Sequence, residues 1–231
     1  MTELRLAIWD VDGTLVDSRE TIHNVMTEAF RQSGLTPPEY DDTRRIVGLS
    51  LHEACSQLAP GVAGAELDRL VQVYRESWVR ARGRADFHEP LYDGALETLE
   101  CLQAEGWLIA MATGKTRAGI ASLFDRHRLE PFFDTIWCAD DGPGKPHPHM
   151  VLQAMGALGM EPHASLMIGD AIHDMAMGRA AGVRSLGVSW GFGAAHELED
   201  AGAHEVHHDF ATLRDSILNF TPVPAAGQSP A

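Results

Sequence analysis

Short apolar runs alternate with longer amphipathic stretches along much of the chain. The apolar runs have the length and composition of buried strands, and they occupy residues 4–9, 108–112, 135–138, 165–168 and 185–188. Between the later runs, apolar residues recur every three or four positions, which predicts helices over residues 94–104, 116–126, 148–158 and 171–181, the first capped by Asp93. Because strands that alternate with amphipathic helices form parallel sheets, the pattern predicts an α/β core.

The stretch from residue 17 to residue 89 breaks this alternation. It contains no strand-like run, only helix-like segments at residues 18–33, 50–58 and 65–82. The middle segment opens with Ser50 and Glu53, which have the spacing of a capping box. Roughly seventy such residues predict an all-helical domain inserted after the first strand. The predicted division is a core of residues 1–16 and 90–220, a helical domain of residues 17–89 with hinges at 14–18 and 83–92, and a flexible tail of residues 221–231.

Charge and cysteine content limit the kinds of partner and compartment. The chain has 33 acidic and 18 basic residues, a formal net charge of -15, and its Lys and Arg residues are not clustered, which argues against nucleic acid. No apolar run approaches the roughly 18 residues that a membrane-spanning helix needs. Cys55, Cys101 and Cys138 are odd in number and widely spaced, which favours free thiols. We therefore expect a cytoplasmic protein without a membrane partner, either a monomer or a homodimer.

The first strand ends in the sequence Asp-Val-Asp-Gly-Thr, which begins at Asp10. Ligands bind at the carboxyl ends of the strands in open parallel sheets, so Asp10 and Asp12 are candidates for catalysis. Two carboxylates in one turn can be held in different environments, one ionised and one protonated, as a nucleophile and a general acid require. The alternative is an acidic turn that only accepts local backbone hydrogen bonds.

Three further segments place polar residues directly after predicted strands or ahead of predicted helices. Thr113 and Gly114 form a strand-to-helix turn that can hold phosphate oxygens, or merely start the helix. Lys145 stands in a proline-flanked loop, where it could neutralise a phosphoryl group or simply be solvated. Asp170 and Asp174 would share one face of a starting helix, where they could bind Mg²⁺ or stabilise the helix terminus.

In this order, the four segments resemble the motifs of the haloacid dehalogenase superfamily of phosphohydrolases. DVDGT at residues 10–14 is similar to the first motif, Thr113 to the second, Lys145 to the third and GDAIHD at residues 169–174 to the fourth. The helical insertion, together with DVDGTLVDS, GKPHP and VSWG, resembles the phosphoglycolate-phosphatase-like branch. The resemblance covers residues 4–209 and implies a Rossmann-like sheet with a mobile helical cap.

The resemblance also implies roles for the residues that match the motifs. Asp10 would be the nucleophile that becomes phosphorylated. Asp12 would protonate the leaving oxygen and then deprotonate the hydrolytic water. Thr113, the Gly114 amide and Lys145 would bind the phosphoryl oxygens, with Lys145 also counted among the catalytic residues.

A metal site is implied by the same resemblance. Mg²⁺ would be held by Asp10, the backbone carbonyl of Asp12, and Asp170. Asp174 would orient the metal-bound waters or Lys145. Such a site fits the chemistry, because an anionic nucleophile must approach an anionic phosphate.

The function implied is Mg²⁺-dependent hydrolysis of a small phosphorylated metabolite, such as 2-phosphoglycolate, through an aspartyl-phosphate. An acid at Asp12 is unlike the dehalogenase and phosphonate-hydrolase members. One alternative is a phosphotransferase of the β-phosphoglucomutase type, which Leu51 disfavours because those enzymes look to carry an arginine after a similar turn. The other is a phospho-accepting regulatory module, which Asp12 and the helical insertion disfavour.

Weaker signals lie elsewhere in the chain. Arg19, Arg44 and Arg45 could meet an anionic substrate, although ion pairs with nearby carboxylates are the stronger expectation. Trp190 and Phe192 either pack at the interface with the helical domain or line the pocket. Five histidines in predicted surface loops are expected to be solvated and not to bind zinc: His147, His149, His204, His207 and His208.

Overall fold

A parallel sheet carries the core of the protein, as predicted. The computed structural model describes residues 4–222, so residues 223–231 of the predicted tail lie outside the described part. Within residues 4–222 the sheet has six strands in the order β3-β2-β1-β4-β5-β6. The strands are β1 Leu6–Trp9, β2 Leu108–Thr113, β3 Thr135–Cys138, β4 Ser165–Gly169, β5 Arg184–Val188 and β6 Glu205–His207. This is the strand order of a doubly wound, Rossmann-like fold.

Helices cover both faces of the sheet, because alternate residues of each strand point to opposite sides. Ala7 and Trp9 of β1 belong to one buried apolar cluster, whereas Leu6 and Ile8 belong to another. The helices are α1 Arg19–Gln32, α2 Tyr40–Ile46, α3 Leu51–Leu58, α4 Ala65–Arg82, α5 Ala95–Ala104, α6 Arg117–His127, α7 His149–Leu158, α8 Ile172–Ala181, α9 Ala195–Asp200 and α10 Phe210–Asn219. The prediction that Asp93 caps α5 was wrong. The N-cap is Gly94, with φ +89°.

Helices α1 to α4 form a separate packed unit, which we call the helical unit. Met26 and Phe30 of α1 and Leu70 of α4 are buried in an apolar core distinct from the clusters that flank the sheet. Two chain crossings join this unit to the sheet and lie side by side, since the Tyr92 amide donates to the Leu15 carbonyl at 3.0 Å. The proposed domain limits at residues 16/17 and 89/90 stay a prediction.

Helix α2 was absent from the sequence prediction. It has seven residues and too few apolar positions to show a clear period. Its charges follow the helix dipole, with Asp41 and Asp42 in the first turn and Arg44 and Arg45 in the last. Charge order was therefore the signal that could have revealed it.

Helix α8 lies very close to the sheet at Gly178. A Cβ added there would overlap Ser185 Oγ and lie 3.0 Å from Met167 Cβ. We expect Gly178→Ala to lower the free energy of unfolding by about 1–3 kcal/mol, measured by urea unfolding, because the methyl group forces helix and sheet apart. Gly156→Ala in α7 is the matched control, since no described atom lies within 4 Å of the added Cβ. Equal losses in both variants would contradict this packing argument.

Two further expectations concern thiols and membranes. Cys55, Cys101 and Cys138 are free thiols, as predicted. Across the described residues, no helix combines the length and the apolar character that crossing a bilayer would require. Neither finding bears on the candidate site.

Candidate active site

The centre of the sheet positions the candidate site. β1 lies between β2 and β4, and its Trp9 pairs with Met111 on one side and with Ile168 on the other. The residues that follow these parallel strands therefore meet at one edge. Asp10 stands in the middle of that edge, at the point where the strand order reverses.

Three carboxylates predicted from separate segments come together there. One oxygen from each of Asp10, Asp170 and Asp174 lies within 4.8 Å of the other two, and all three side chains are buried. Asp170 is held by the Thr14 hydroxyl, which donates at 2.7 Å, and by the Phe192 amide, which also donates at 2.7 Å. Thr14 belongs to the first motif, and its hold on Asp170 was not predicted.

Lys145 joins two of these carboxylates. Its Nζ lies 2.7 Å from Asp10 Oδ1 and 2.6 Å from Asp174 Oδ1, and its side chain has no exposed surface. Asp174 is itself fixed, because its second oxygen accepts a hydrogen bond from the Ala171 amide at 3.0 Å. Lys145 is thus not a solvated loop lysine.

One detail of the fourth segment differs from expectation. Asp170 and Asp174 do not share a face of one helix, because α8 begins at Ile172 with Ala171 as its N-cap. Asp170 instead extends directly from the end of β4, and Asp174 belongs to the first turn of α8. The two carboxylates meet because the connecting turn is sharp, which a helical spacing argument cannot foresee.

The cluster carries more negative than positive charge. Burial raises the pKa of Asp10 to about 7, the attraction of Lys145 opposes this, and the repulsion of Asp174 adds to it. Burial and the charges of Asp10 and Asp174 also raise the pKa of Asp170. Burial alone would lower the pKa of Lys145, but the attraction of Asp10 and Asp174 raises it overall. Carboxylate oxygens around an unbalanced negative charge are donors that suit a hard divalent cation, so the residues present fit such an ion.

Asp12 lies outside this cluster and makes a different ion pair. Its Oδ1 is 2.7 Å from Lys115 Nζ, and the Lys115 side chain is only 8% exposed. Lys115 also lies 3.5 Å from Glu89, which is held in turn by Arg126 at 3.0 Å. The sequence prediction gave Lys115 no role. Its place directly after Thr113 and Gly114 was the available signal.

The turn after β2 offers hydrogen-bond donors to the same edge. Thr113 is fully buried, and its Oγ1 accepts a hydrogen bond from the Lys115 amide at 3.2 Å, which leaves its own O–H available to a ligand oxygen. A Cβ added at Gly114 would lie 3.4 Å from the Gly48 carbonyl oxygen. Glycine here lets the helical unit approach the turn closely.

Gly13 of the first motif is required for a similar reason. Its φ is +82°, a region that L side chains rarely adopt. A Cβ at this position would come within 2.6 Å of Asp170 Cγ and of Phe192 Cδ2. The glycine therefore lets the first turn and the Asp170 turn pack against each other.

A cavity of about 310 Å³ opens between the sheet edge and the helical unit. The sheet side contributes Asp10, Asp12, Gly114 and Lys115 to its lining. The helical unit contributes aromatic, aliphatic and cationic side chains, among them Met26, Leu51, Tyr74, Arg75, Trp78 and Arg82. Asp10, Asp12 and Gly114 thus face a cavity of small-molecule size.

The cationic residues of this cavity differ from those suggested by the sequence. Arg19 pairs with Asp17 at 2.8 Å, and Arg44 pairs with Asp41 at 3.2 Å and with Glu197 of α9 at 2.7 Å. Both side chains are therefore in ion pairs, which was the stronger expectation. Arg45 also lies outside the lining. The missed residues are Arg75 and Arg82, which share a helical face with Tyr74 and Trp78, and that spacing was the available signal.

Trp190 and Phe192, which could either pack or line the pocket, both pack against apolar neighbours. Phe192 is 4% exposed and joins the apolar core of the helical unit. Trp190 packs on Phe210 with a ring-centroid distance of 4.6 Å and donates to the Thr14 carbonyl at 3.0 Å. Placing His207 in a solvated loop was wrong, because it lies in β6 and is 9% exposed. Within residues 4–222, the one group of three or more close potential metal ligands is the aspartate cluster.

Similarity to known proteins identifies the family of this chain independently of the site geometry. The family model for haloacid dehalogenase-like hydrolases matches residues 7–188. A phosphoglycolate phosphatase of Caulobacter vibrioides is 31% identical over 95% of this chain and 94% of its own length. Pyrophosphatase PpaX of Bacillus pumilus is 31% identical over 81% of this chain and 84% of its own. The crystal structure of a hydrolase from Pseudomonas syringae superimposes with a TM-score of 0.82 at 27% identity, covering 93% of this chain and 98% of that one.

Proposed function

Because the chain belongs to the haloacid dehalogenase-like hydrolase family, we propose that it is a Mg²⁺-dependent phosphatase acting on a small phosphorylated metabolite such as 2-phosphoglycolate. The family, together with its relatives named phosphoglycolate phosphatase, makes it a phosphoric monoester hydrolase, and the metal, the substrate and the residue roles are our proposal. The observation that carries it is a buried carboxylate, Asp10, which is held by Lys145 and lines the cavity. Relatives named phosphoglycolate phosphatase and pyrophosphatase support the substrate class.

In the first half of the reaction, an Asp10 carboxylate oxygen attacks the phosphorus atom. The bond between phosphorus and the ester oxygen breaks, and its electron pair stays on the leaving oxygen. For this step the ion pair between Asp12 and Lys115 must give way, so that Asp12 carries a proton. Asp12 gives that proton to the leaving oxygen, so an alcohol departs and Asp12 becomes a carboxylate. Asp10 now carries the phosphoryl group as an acyl phosphate.

In the second half, water attacks the same phosphorus atom. The Asp12 carboxylate takes one proton from the water, and the bond between phosphorus and Asp10 breaks. Inorganic phosphate leaves, Asp10 is again a carboxylate, and Asp12 is again protonated. The cycle therefore consumes one water molecule and restores both aspartates.

The other residues hold charge and orientation. Lys145 keeps the Asp10 oxygen in place and offsets the charge of the phosphoryl group, while Asp174 fixes Lys145. The Thr113 hydroxyl and the Gly114 amide donate to phosphoryl oxygens. Mg²⁺ held by Asp10, Asp170 and the Asp12 carbonyl would supply neutralisation of the negative charge between nucleophile and phosphate.

The helical unit, residues 17–89, acts as a cap in this proposal. It covers the cavity and contacts the sheet unit through the Arg44–Glu197 ion pair at 2.7 Å and a hydrogen bond from His173 to the Arg45 carbonyl at 3.0 Å. Excluding bulk water strengthens the electrostatic interactions inside the cavity. The neighbouring crossings at residues 14–18 and 83–92 serve as hinges.

Metal dependence tests this function directly. We expect phosphate release from 2-phosphoglycolate to fall at least about 100-fold after chelation and to return with added Mg²⁺. Mg²⁺ at about ten times its Kd should also stabilise the fold by about 1.4 kcal/mol, seen as a rise in Tm.

Matched variants identify the site responsible for that effect. Asp170→Asn should lose most of the Mg²⁺-induced rise in Tm, because it removes one of the clustered carboxylates. Asp125→Asn, at an exposed position of α6, should keep it. Full activity in a chelator would contradict the metal proposal, and sugar-phosphate isomerisation without phosphate release would favour a phosphotransferase.

A further inference from the structure

The cavity wall formed by α4 carries two guanidinium groups. Arg75 and Arg82 both line the cavity that contains Asp10. The Arg82 guanidinium carbon lies 5.3 Å from the centroid of the Trp78 ring, and Lys115 Nζ lies 5.6 Å from the same centroid. Arg82 is therefore positioned one aromatic ring away from the ion pair between Lys115 and Asp12.

Arg82 also reaches across the gap between the two units. A Cβ added at Gly119 of α6 would lie 3.2 Å from Arg82 Nη2, so the guanidinium rests on the first turn of that helix. Gly119 is itself part of the cavity lining. The charge of Arg82 thus lies where the helical unit meets the sheet unit, and not on an outer face of α4.

The charges around this point do not balance. Lys145 is matched by Asp10 and Asp174, and Lys115 by Asp12 and Glu89. Within residues 4–222, the side chains of Arg75 and Arg82 have no ion pair or hydrogen bond, although Arg44, Arg80, Arg84 and Arg126 all do.

Lys115 lies close to these guanidinium groups. Its Nζ and the Arg82 guanidinium carbon lie 5.6 Å and 5.3 Å from the centroid of the same Trp78 ring. An anion bound between them would therefore have a positive charge on both sides.

We propose that Arg82, with Arg75 beside it, forms a subsite for a second anionic group, on the leaving-group side of the substrate. This inference rests on the proposed phosphatase function and narrows it to phosphoesters whose departing part carries a carboxylate or a phosphate. Guanidinium groups bind both anions through paired N–H donors. The volume of about 310 Å³, with Tyr74, Trp78 and Leu51 in its walls, restricts the departing part to a short chain.

Three esters of matched length test the subsite: 2-phosphoglycolate, 2-hydroxyethyl phosphate and 2-aminoethyl phosphate, with a carboxylate, a neutral and a cationic terminus. We expect the unsubstituted protein to prefer the carboxylate. Arg82→Gln should lower kcat/KM for 2-phosphoglycolate about 10- to 100-fold, mainly through KM, with less than about a threefold change for the neutral ester. Inorganic pyrophosphate, assayed in parallel, distinguishes a preference for a second phosphate from one for a carboxylate.

Arg69→Gln is the matched control, because Arg69 lies on the exposed face of the same helix and outside the cavity lining. It should leave all four rates unchanged. Arg82→Glu tests the reversed charge. It should shift the substrate preference from 2-phosphoglycolate towards 2-aminoethyl phosphate. Thermal melts of both Arg82 variants show whether the fold is retained.

The outcomes separate the subsite from the function on which it rests. Equal losses on the carboxylate and neutral esters in Arg82→Gln, or an unchanged preference in Arg82→Glu, would overturn the subsite while phosphatase activity stands. If the unsubstituted protein releases phosphate from none of the four compounds in the presence of Mg²⁺, the phosphatase proposal is overturned, and the subsite with it.

Discussion

Asp10→Asn is expected to lower phosphate release by about 10⁴-fold or more without disrupting the fold. An amide oxygen is too weak a nucleophile to attack phosphorus, so no acyl phosphate forms. The side chain keeps its size, and the substitution removes one of the two carboxylates that pair with Lys145. In chelator, the Tm should therefore stay the same or rise.

Steady-state phosphate release and thermal melting measure the two halves of this expectation. Asp125→Asn is again the control, as an exposed aspartate outside both the aspartate cluster and the cavity lining. Turnover in Asp10→Asn within tenfold of the unsubstituted protein would exclude Asp10 as the nucleophile. A collapse of Tm would show instead that the Asp10 carboxylate holds the turn together.

Lys145→Met is expected to impair both catalysis and stability. The substitution keeps most of the side-chain volume but leaves Asp10 and Asp174 without their shared counterion. Losing one partner of a buried ion pair costs about 3–5 kcal/mol of unfolding free energy. Removing a charge that stabilises the transferring phosphoryl group should lower kcat by about 10²- to 10³-fold.

The destabilisation should depend on pH in a defined direction. Without the ammonium, the folded-state pKa of Asp10 rises further above its unfolded value, so the folded protein binds more protons than the unfolded one. Stability is then retained at low pH and lost as pH rises, and the deficit should be larger at pH 8 than at pH 5.

A double variant checks the physical cause of this loss. Asp10→Asn in the Lys145→Met background should recover part of the lost stability, because one uncompensated carboxylate is removed. Urea unfolding of the four proteins completes the cycle. Additive effects of the two substitutions would contradict direct coupling between these side chains.

The sequence predicted those features of the fold that depend on local patterns. Five of the strands, and the helices between the later ones, follow from apolar runs and their period. The rule that ligands bind at the carboxyl ends of parallel strands placed Asp10, Thr113 and Asp170 at one edge. β6 was missed because Glu205 and His207 interrupt any apolar run, and it forms only by pairing with β5.

Features that depend on contacts between units could not be predicted in the same way. Arg82 faces the cavity because α4 packs over the sheet edge, and Arg44 is unavailable because its partner, Glu197, lies 153 residues away. The helical spacing of Arg82 with Tyr74 and Trp78 indicates a shared face of α4, but it does not indicate that this face meets the cavity. Phe192 was likewise undecidable, since its ring enters the core of the helical unit whereas its amide holds Asp170.

The contact between the two chain crossings, at Leu15 and Tyr92, lowers the entropic cost of folding the central sheet. β1 and β2 are neighbours at the centre of the sheet, with Leu6 paired to Leu108, so this contact closes a long loop. The antiparallel bridge between Val16 and Leu91 brings the two ends of the helical unit together. When these local helices assemble first, the effective loop shrinks to residues 10–15 on one side and 92–107 on the other, and the entropic cost of joining the central strands falls accordingly.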